Sequence, residues 1–290
     1  MRLATYASVA AALALIAAKL AAWALTDSVA LLSTLVDSVI DAAASAINLL
    51  AVRHALQPAD REHRFGHGKA EPLAGLGQSA FIAGSALFIV IEAAKRLSSP
   101  EPVSNQTVGI AVMLASIVVA FLLVRFQRRV VRETGSLAIR ADSLHYVGDL
   151  LTNAAVVVSL LLDSELGWRR ADPLFAMAIA ATLLWSAWTI ARESYNLLMD
   201  REFPDEERRR ILAICTSHPE VRDVHDLRTR SSGQSAFIQL HLELDPEISL
   251  SHAHAISDAV EAMIHDTYPA ADVIIHQDPQ GVVEKRTEFG

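Results

Sequence analysis

The chain has 290 residues, a mean hydropathy of +0.31 and 52% hydrophobic residues, high for a soluble domain of this size. The net charge of −8 is uneven: from Met199 onward there are 18 acidic and 9 basic residues, an acidic balance that argues against nucleic acid as a partner. The single cysteine, Cys215, excludes an intrachain disulfide framework and any cysteine-based zinc cluster, and a lone cysteine is usually a small buried hydrophobe.

Before residue 200 the apolar residues fall into six blocks of about 20, each long enough as a helix to cross a hydrocarbon core of about 30 Å. The first, about Ala4–Leu25, is too long for a signal-peptide core and has no clear cleavage site, so it reads as a membrane span. Its Lys19 either pairs with an acid or snorkels to the near interface, and its long aliphatic stem favours snorkelling. After the link Thr26–Val29, the second span covers about Ala30–His54 and ends in a polar loop broken by Pro58, Gly66 and Gly68. The third span covers about Leu73–Ala94, a proline-containing turn follows over Ser98–Asn105, and the fourth covers about Val108–Val124. A basic connector with Arg125, Arg128, Arg129, Arg132 and Arg140 leads into the fifth, Ala138–Leu162, and the sixth is about Pro173–Met199. Six spans put both ends of this domain on one side. That side carries ten of the flanking lysines and arginines against four on the other, so both termini are expected in the cytoplasm.

Residues 201–280 read as a soluble α+β domain and 281–290 as a disordered tail. Pro204 and Asp205 open a helix to Ser217. Val224–Arg230 and Phe237–Leu244 alternate as strands about a turn with Gly233. Leu250–Tyr268 is a helix and Asp272–His276 a final strand. The order αββαβ predicts a small sheet with its helices on one face.

Polar residues inside the apolar blocks carry the chemistry. Asp37 and Asp41 are four apart in the second span, as are His145 and Asp149 in the fifth, so each pair stacks on one helical face. An Asp at the centre of a membrane helix costs about 2.5–3.5 kcal/mol, so three facing lipid would cost about 8–10 kcal/mol. They must therefore face one another or water. Asp37, Asp41, His145 and Asp149 offer an oxygen-rich, one-nitrogen cage suited to a tetrahedral divalent cation. The competing reading has the acids pairing with Lys19 or bonding to Asn48 and Asn153, but one lysine cannot neutralise three carboxylates. Clustered acids hold protons when no metal is present, and a cation that needs deprotonated ligands ejects them. If the site faces each side of the membrane in turn, metal and protons exchange in opposite directions.

Asp60, His63 and His67 in the polar loop have chelating spacing, although polar loops also gather histidines for solubility. In the tail, His225, His241, His254, His276 and Asp278 would form a metal cluster if they converge on one sheet end. Taken singly, each histidine reads as a satisfied core residue. No P-loop, G-x-S-x-G or paired nucleophile and base points to an enzyme.

DSVID in the second span, HYVGD in the fifth, PADREHRFGHGKAEPL in the loop, and HDLRTR, IQLHLEL and IIHQDP in the tail together resemble the cation diffusion facilitator family, close to the bacterial zinc and ferrous-iron efflux pumps. The resemblance runs over nearly the whole chain. It implies a six-helix transporter domain and a cytoplasmic metallochaperone-like domain in a homodimer in the bacterial inner membrane. It places the transport site on Asp37, Asp41, His145 and Asp149 and a loop site on Asp60, His63 and His67. A binuclear site that helps join two protomers falls on His225, His241, His254, His276 and Asp278. It further implies an interprotomer interlock of Lys69 with Asp200 and a hydrophobic gate at Leu144. Where some relatives have a cysteine after the last Asp-Pro, this chain has Gln280, which makes thiol chemistry there unexpected. The combined expectation is a proton-coupled exporter of Zn2+, with Fe2+, Cd2+, Co2+ and Mn2+ as further cargo. A passive carrier or channel and a membrane-anchored metal sensor are the alternatives.

Overall fold

The computed structural model describes residues 1–26, 29–98, 107–166, 170–233 and 235–282. The expected Ser98–Asn105 turn and the disordered tail fall largely outside these residues, and the Thr26–Val29 link and the Ser231–Ser235 turn fall partly outside them. The chain divides into two compact units, Met1–Tyr195 and Asn196–Gly290.

The first unit consists of six helices: α1 Arg2–Thr26, α2 Val29–Ala55, α3 Ala70–Ser98, α4 Thr107–Thr134, α5 Leu137–Leu166 and α6 Ala171–Leu198. Among the described residues, α1, α2, α3, α4 and α6 hold stretches long and apolar enough to cross a membrane. Large apolar side chains such as Ile47, Phe88, Phe121 and Trp185 point outward, as a lipid-facing surface requires. Inside, small residues let helices approach. Ala86 of α3 and Ala180 and Ala187 of α6 share a core with Ile82 and Leu183. At Gly148 an added Cβ would meet Leu183 Cδ2 at 3.1 Å, so glycine lets α6 close on α5 beside Asp149.

The basic connector expected after Val124 is helical. α4 continues through Arg125, Arg128, Arg129 and Arg132 and stops only where Gly135 turns left-handed at φ 64°. Arginine is a good helix former, so the fall in hydropathy marks the edge of the apolar layer and not the end of the helix. The buried Glu71 of α3 accepts hydrogen bonds from the Ser136 hydroxyl and the Ala138 N–H, fixing the turn between α4 and α5.

In the second unit, α7 Asp205–Thr216, β1 Asp223–Ser232, β2 Ser235–Leu244, α8 Leu250–Thr267 and β3 Ala271–Pro279 follow the expected αββαβ order. Acidic Asp205, Glu206 and Glu207 occupy the first turn of α7, where the helix dipole favours them. Ser249 caps α8 by accepting the His252 N–H at 3.2 Å. The sheet order is β1-β2-β3, with β1 antiparallel and β3 parallel to β2. Ile238, Leu240, Leu242 and Leu244 alternate inward and pack against Ile211 and Cys215 of α7 and Ile256, Val260 and Ile264 of α8. Each fully buried side chain contributes about 1.5–3 kcal/mol. Both helices thus cover one face, and the odd-numbered β2 residues, His241 among them, lie on the other.

Candidate metal centres

In the bundle, α2 and α5 bring three of the four expected ligands together. His145 Nε2 is 3.0 Å from Asp41 Oδ1 and 3.8 Å from Asp149 Oδ2, and all three donor atoms lie within 4.8 Å of one another. His145 is 7% exposed in its residue environment, with the Phe81 ring 5.6 Å away. Asp37 lies one turn earlier on α2, outside the convergent group, and lines the same cavity of about 590 Å3 as Asp41, His145 and Asp149. Neither asparagine serves the acids through its side-chain amide. Asn48 donates to the Ala138 carbonyl at 3.4 Å and Asn153 to the Asp149 carbonyl at 2.8 Å. Lys19 does not snorkel, correcting the expectation. Its ammonium donates to the Thr34 carbonyl at 3.0 Å and the Ser38 hydroxyl at 2.7 Å, and lines the cavity from within. A cation buried among three acids gains more there than its stem gains in lipid. Leu144 packs with the α3–α6 core rather than lining this cavity.

The loop donors also converge. His63 Nδ1 and His67 Nε2 are each 3.4 Å from one oxygen of Asp60. The backbone N–H of His63, at 2.6 Å, holds the Asp60 carboxyl below the usual carboxylate range, with the Glu62 N–H adding to it. His67 is buried, yet its Nδ1 has no hydrogen-bond partner.

In the tail the histidines are set by strand register. His225 faces His241 across β1–β2, and His241 faces His276 across β2–β3. Asp278 lies two residues beyond His276 on the same face and is buried among them. One oxygen, Oδ2, is 2.8 Å from His241 Nδ1 and 3.0 Å from His225 Nε2, and Oδ1 is 3.0 Å from His276 Nε2. Burial pushes the Asp278 carboxyl up, but hydrogen bonds from His241 and His225 outweigh it and hold the group below its ordinary range. A carboxylate with histidines on both oxygens has the form of a bridge between two cation positions. Further acids, which spacing alone did not single out, lie beside this carboxylate. Glu243 Oε1 is 3.4 Å from His225 Nδ1, an atom with no hydrogen bond, and Asp223 and Asp226 complete groups around His225. Glu243 was legible as the residue two after His241 on the same strand face. Asp226 sits at φ 49° where the β1–β2 register shifts, a strained position beside a cluster of ligands.

His254 does not join the others, contrary to their expected convergence. It is exposed on α8, 3.6 Å from Asp258, and α8 packs on the opposite face of the sheet from His241. The three strands therefore stand between it and the remaining ligands of its own chain. Asp200 Oδ1 pairs with Arg230 at 3.4 Å, and its backbone is left-handed at φ 54°. Gln280 follows Pro279 as the sequence shows, and its N–H bonds the Leu244 carbonyl at 2.8 Å.

Two family models match the chain. The cation efflux transmembrane domain covers residues 5–199 and the cation efflux protein cytoplasmic domain covers residues 203–280. The cation-efflux pump FieF of Klebsiella pneumoniae subsp. pneumoniae is 51% identical over 280 residues, spanning 97% of this chain and 93% of that protein. FieF of Yersinia pestis (strain Pestoides F) is 52% identical over 267 residues, spanning 92% and 89%. Among solved structures, CzrB in its Zn form is 30% identical, covers 30% of this chain and 99% of that one, and superposes with a TM-score of 0.28.

Proposed function

The chain belongs to the cation efflux family, the cation diffusion facilitators, and from that premise we propose that it exports Zn2+ from the cytoplasm in exchange for protons. It is a multi-pass membrane transporter of metal cations with a transmembrane and a cytoplasmic domain, and its family is one of transporters and not of enzymes. The convergence of Asp41, His145 and Asp149 on a cavity inside the bundle carries the reading. One imidazole among carboxylates favours Zn2+ or Cd2+ over the hard cations that prefer all-oxygen cages. Fe2+, Co2+ and Mn2+ fit the same donors less selectively. Asp37, one turn from Asp41 and lining the same cavity, is the fourth ligand. Clustered acids must give up protons to bind the cation and regain them when it leaves, which couples the two fluxes.

The charge count supports an inner-membrane orientation with both termini cytoplasmic. The protein works as a homodimer joined through its cytoplasmic domain, with Lys69 and Asp200 interlocking the protomers and Leu144, next to His145, gating the site. Asp60, His63 and His67 form the loop cation site. The donors around Asp278 would suit a pair of Zn2+ ions: the imidazoles of His241, His276 and His225, whose Nδ1 has no hydrogen-bond partner, and a carboxylate with histidines on both oxygens. His254 reaches such a site only from the other copy, because its own sheet blocks it. Metal at this site joins the protomers and biases the membrane domain by preferring one of its states.

Calorimetric titration of zinc in two buffers of different ionisation enthalpy tests the exchange. The reading predicts protons released per zinc bound, and a smaller release in Asp149→Asn. Equal heats in both buffers would sink the coupling and favour a passive carrier.

A further inference from the structure

A second cavity in the bundle holds none of the candidate cation ligands. α4 and α5 pack along each other from the turn at Gly135, and between them lies a groove of about 700 Å3. Its lining is sorted by charge along its length. From Arg125 to the turn it presents four guanidiniums, those of Arg125, Arg128 and Arg132 on α4 and of Arg140 on α5. The half away from the turn is apolar, with Phe121 and Val124 of α4 facing Val147, Leu150 and Leu151 of α5. Arg125, Arg128 and Arg132 follow at intervals of three and four residues, so they share one face of α4. From Phe121 to Arg132 the groove runs about 16 Å along that helix.

Among the described residues, no carboxylate lines the groove, and Arg125, Arg128 and Arg132 are in no ion pair. Arg140 bonds Glu193 of α6, at 3.3 Å through one of its nitrogens. Arg129 shows that the pattern is specific to this face: it lies beside Arg128 in the chain but outside the groove, and it pairs with Glu133 at 3.0 Å. The apolar run of α4 ends where these arginines begin, so they stand where hydrocarbon gives way to headgroups. Phe121 and Leu151, at the far end, are exposed to the apolar layer.

This layering selects the occupant. A metal cation is repelled by four guanidiniums. A second copy of the same face would set four more arginines against these. A soluble anion satisfies the basic half and leaves the apolar half unused. A molecule with a phosphate at one end and an alkyl chain at the other matches both halves in the order the bilayer imposes. Arginine's planar fork suits phosphate oxygens, and basic pockets between transmembrane helices hold anionic headgroups.

We infer that the α4–α5 groove is a binding site for one anionic phospholipid, its phosphate held by the four arginines and an acyl chain lying along the apolar half. The site is independent of which metal the protein carries and of any coupling to protons.

The test is native mass spectrometry of delipidated full-length protein in detergent, titrated with phosphatidylglycerol, with phosphatidylcholine of the same chains, or with glycerol phosphate. One phosphatidylglycerol should bind per chain, about tenfold or more tighter than phosphatidylcholine. Arg128→Ala should weaken it by about tenfold, whereas Arg129→Ala, which removes the same charge one residue away, should change it by less than about twofold. Arg132→Ala, one turn along the groove, repeats the reading should Arg128→Ala fail to fold. Equal losses in the groove variants and Arg129→Ala would reduce the site to general surface charge and overturn the inference. Phosphatidylcholine binding as tightly, or glycerol phosphate competing at equal concentration, would overturn it as well.

Discussion

The bundle and the sheet of the second unit bring together candidate cation ligands of the same residue types in opposite ways. In the bundle, three donors meet across two helices on the wall of a cavity, and a fourth, Asp37, stands one turn away. Among the described residues, the contact from His145 Nε2 to Asp41 Oδ1 at 3.0 Å joins two of them across the helices. In the sheet, backbone register aligns His225, His241 and His276, and a buried carboxylate already binds all three. That set is pre-organised and loses little freedom on loading. Under the proposed function, the difference suits a site that releases its cargo every cycle and one that holds a cation long enough to report its concentration.

The largest expected effect falls on the looser site. His145→Asp makes it all-oxygen, and zinc flux should fall by more than the about 10–100-fold typical of losing a supporting partner, with Mn2+ least affected. Parallel loss for both metals in a flux assay would deny that the imidazole sets selectivity. In the sheet, Asp278→Ala removes the shared acceptor, and zinc affinity of the cytoplasmic domain should drop about 100-fold while flux at saturating zinc persists. Flux that dies with the tail site would make the two sites one machine. Ile238→Ala, in the fully buried face that holds the register, should cost about 2–5 kcal/mol in chemical unfolding of the second unit and leave the bundle intact. The metal-free Asp278 carboxyl is depressed in the fold, so its stabilising effect is complete above the unfolded value near about 4 and is lost as pH falls below it. Asp278→Asn should therefore narrow the stability gap between neutral and acid pH, seen in unfolding midpoints. The smallest effect is at Cys215: buried, with its thiol pushed up to about 11, it should resist alkylation at neutral pH until the domain unfolds.

Much of this was legible from spacing. Of the two acid-bearing pairs four residues apart, three residues converge in the bundle, and the αββαβ order follows the helix and strand periods written in the sequence. Other features depend on what faces what. Lys19 looked like a snorkelling residue because its inward partners, Thr34 and Ser38, belong to another helix. Asp142 stands three residues before His145, yet its hydrogen-bond partners Ser8 and Gln127 lie far away in the chain. His254 shares a chain and a residue type with the sheet histidines, but only the packing of α8 shows which face it occupies. The arginines after Val124 read as a connector because hydropathy tracks the apolar layer and not the helix.

The most direct test of the account is zinc flux into proteoliposomes of the purified protein, with and without a pH gradient, for the wild type and Asp41→Ala. The account predicts flux that rises with the gradient in the wild type and vanishes in Asp41→Ala. Flux that ignores the gradient, or survives the loss of Asp41, would contradict it.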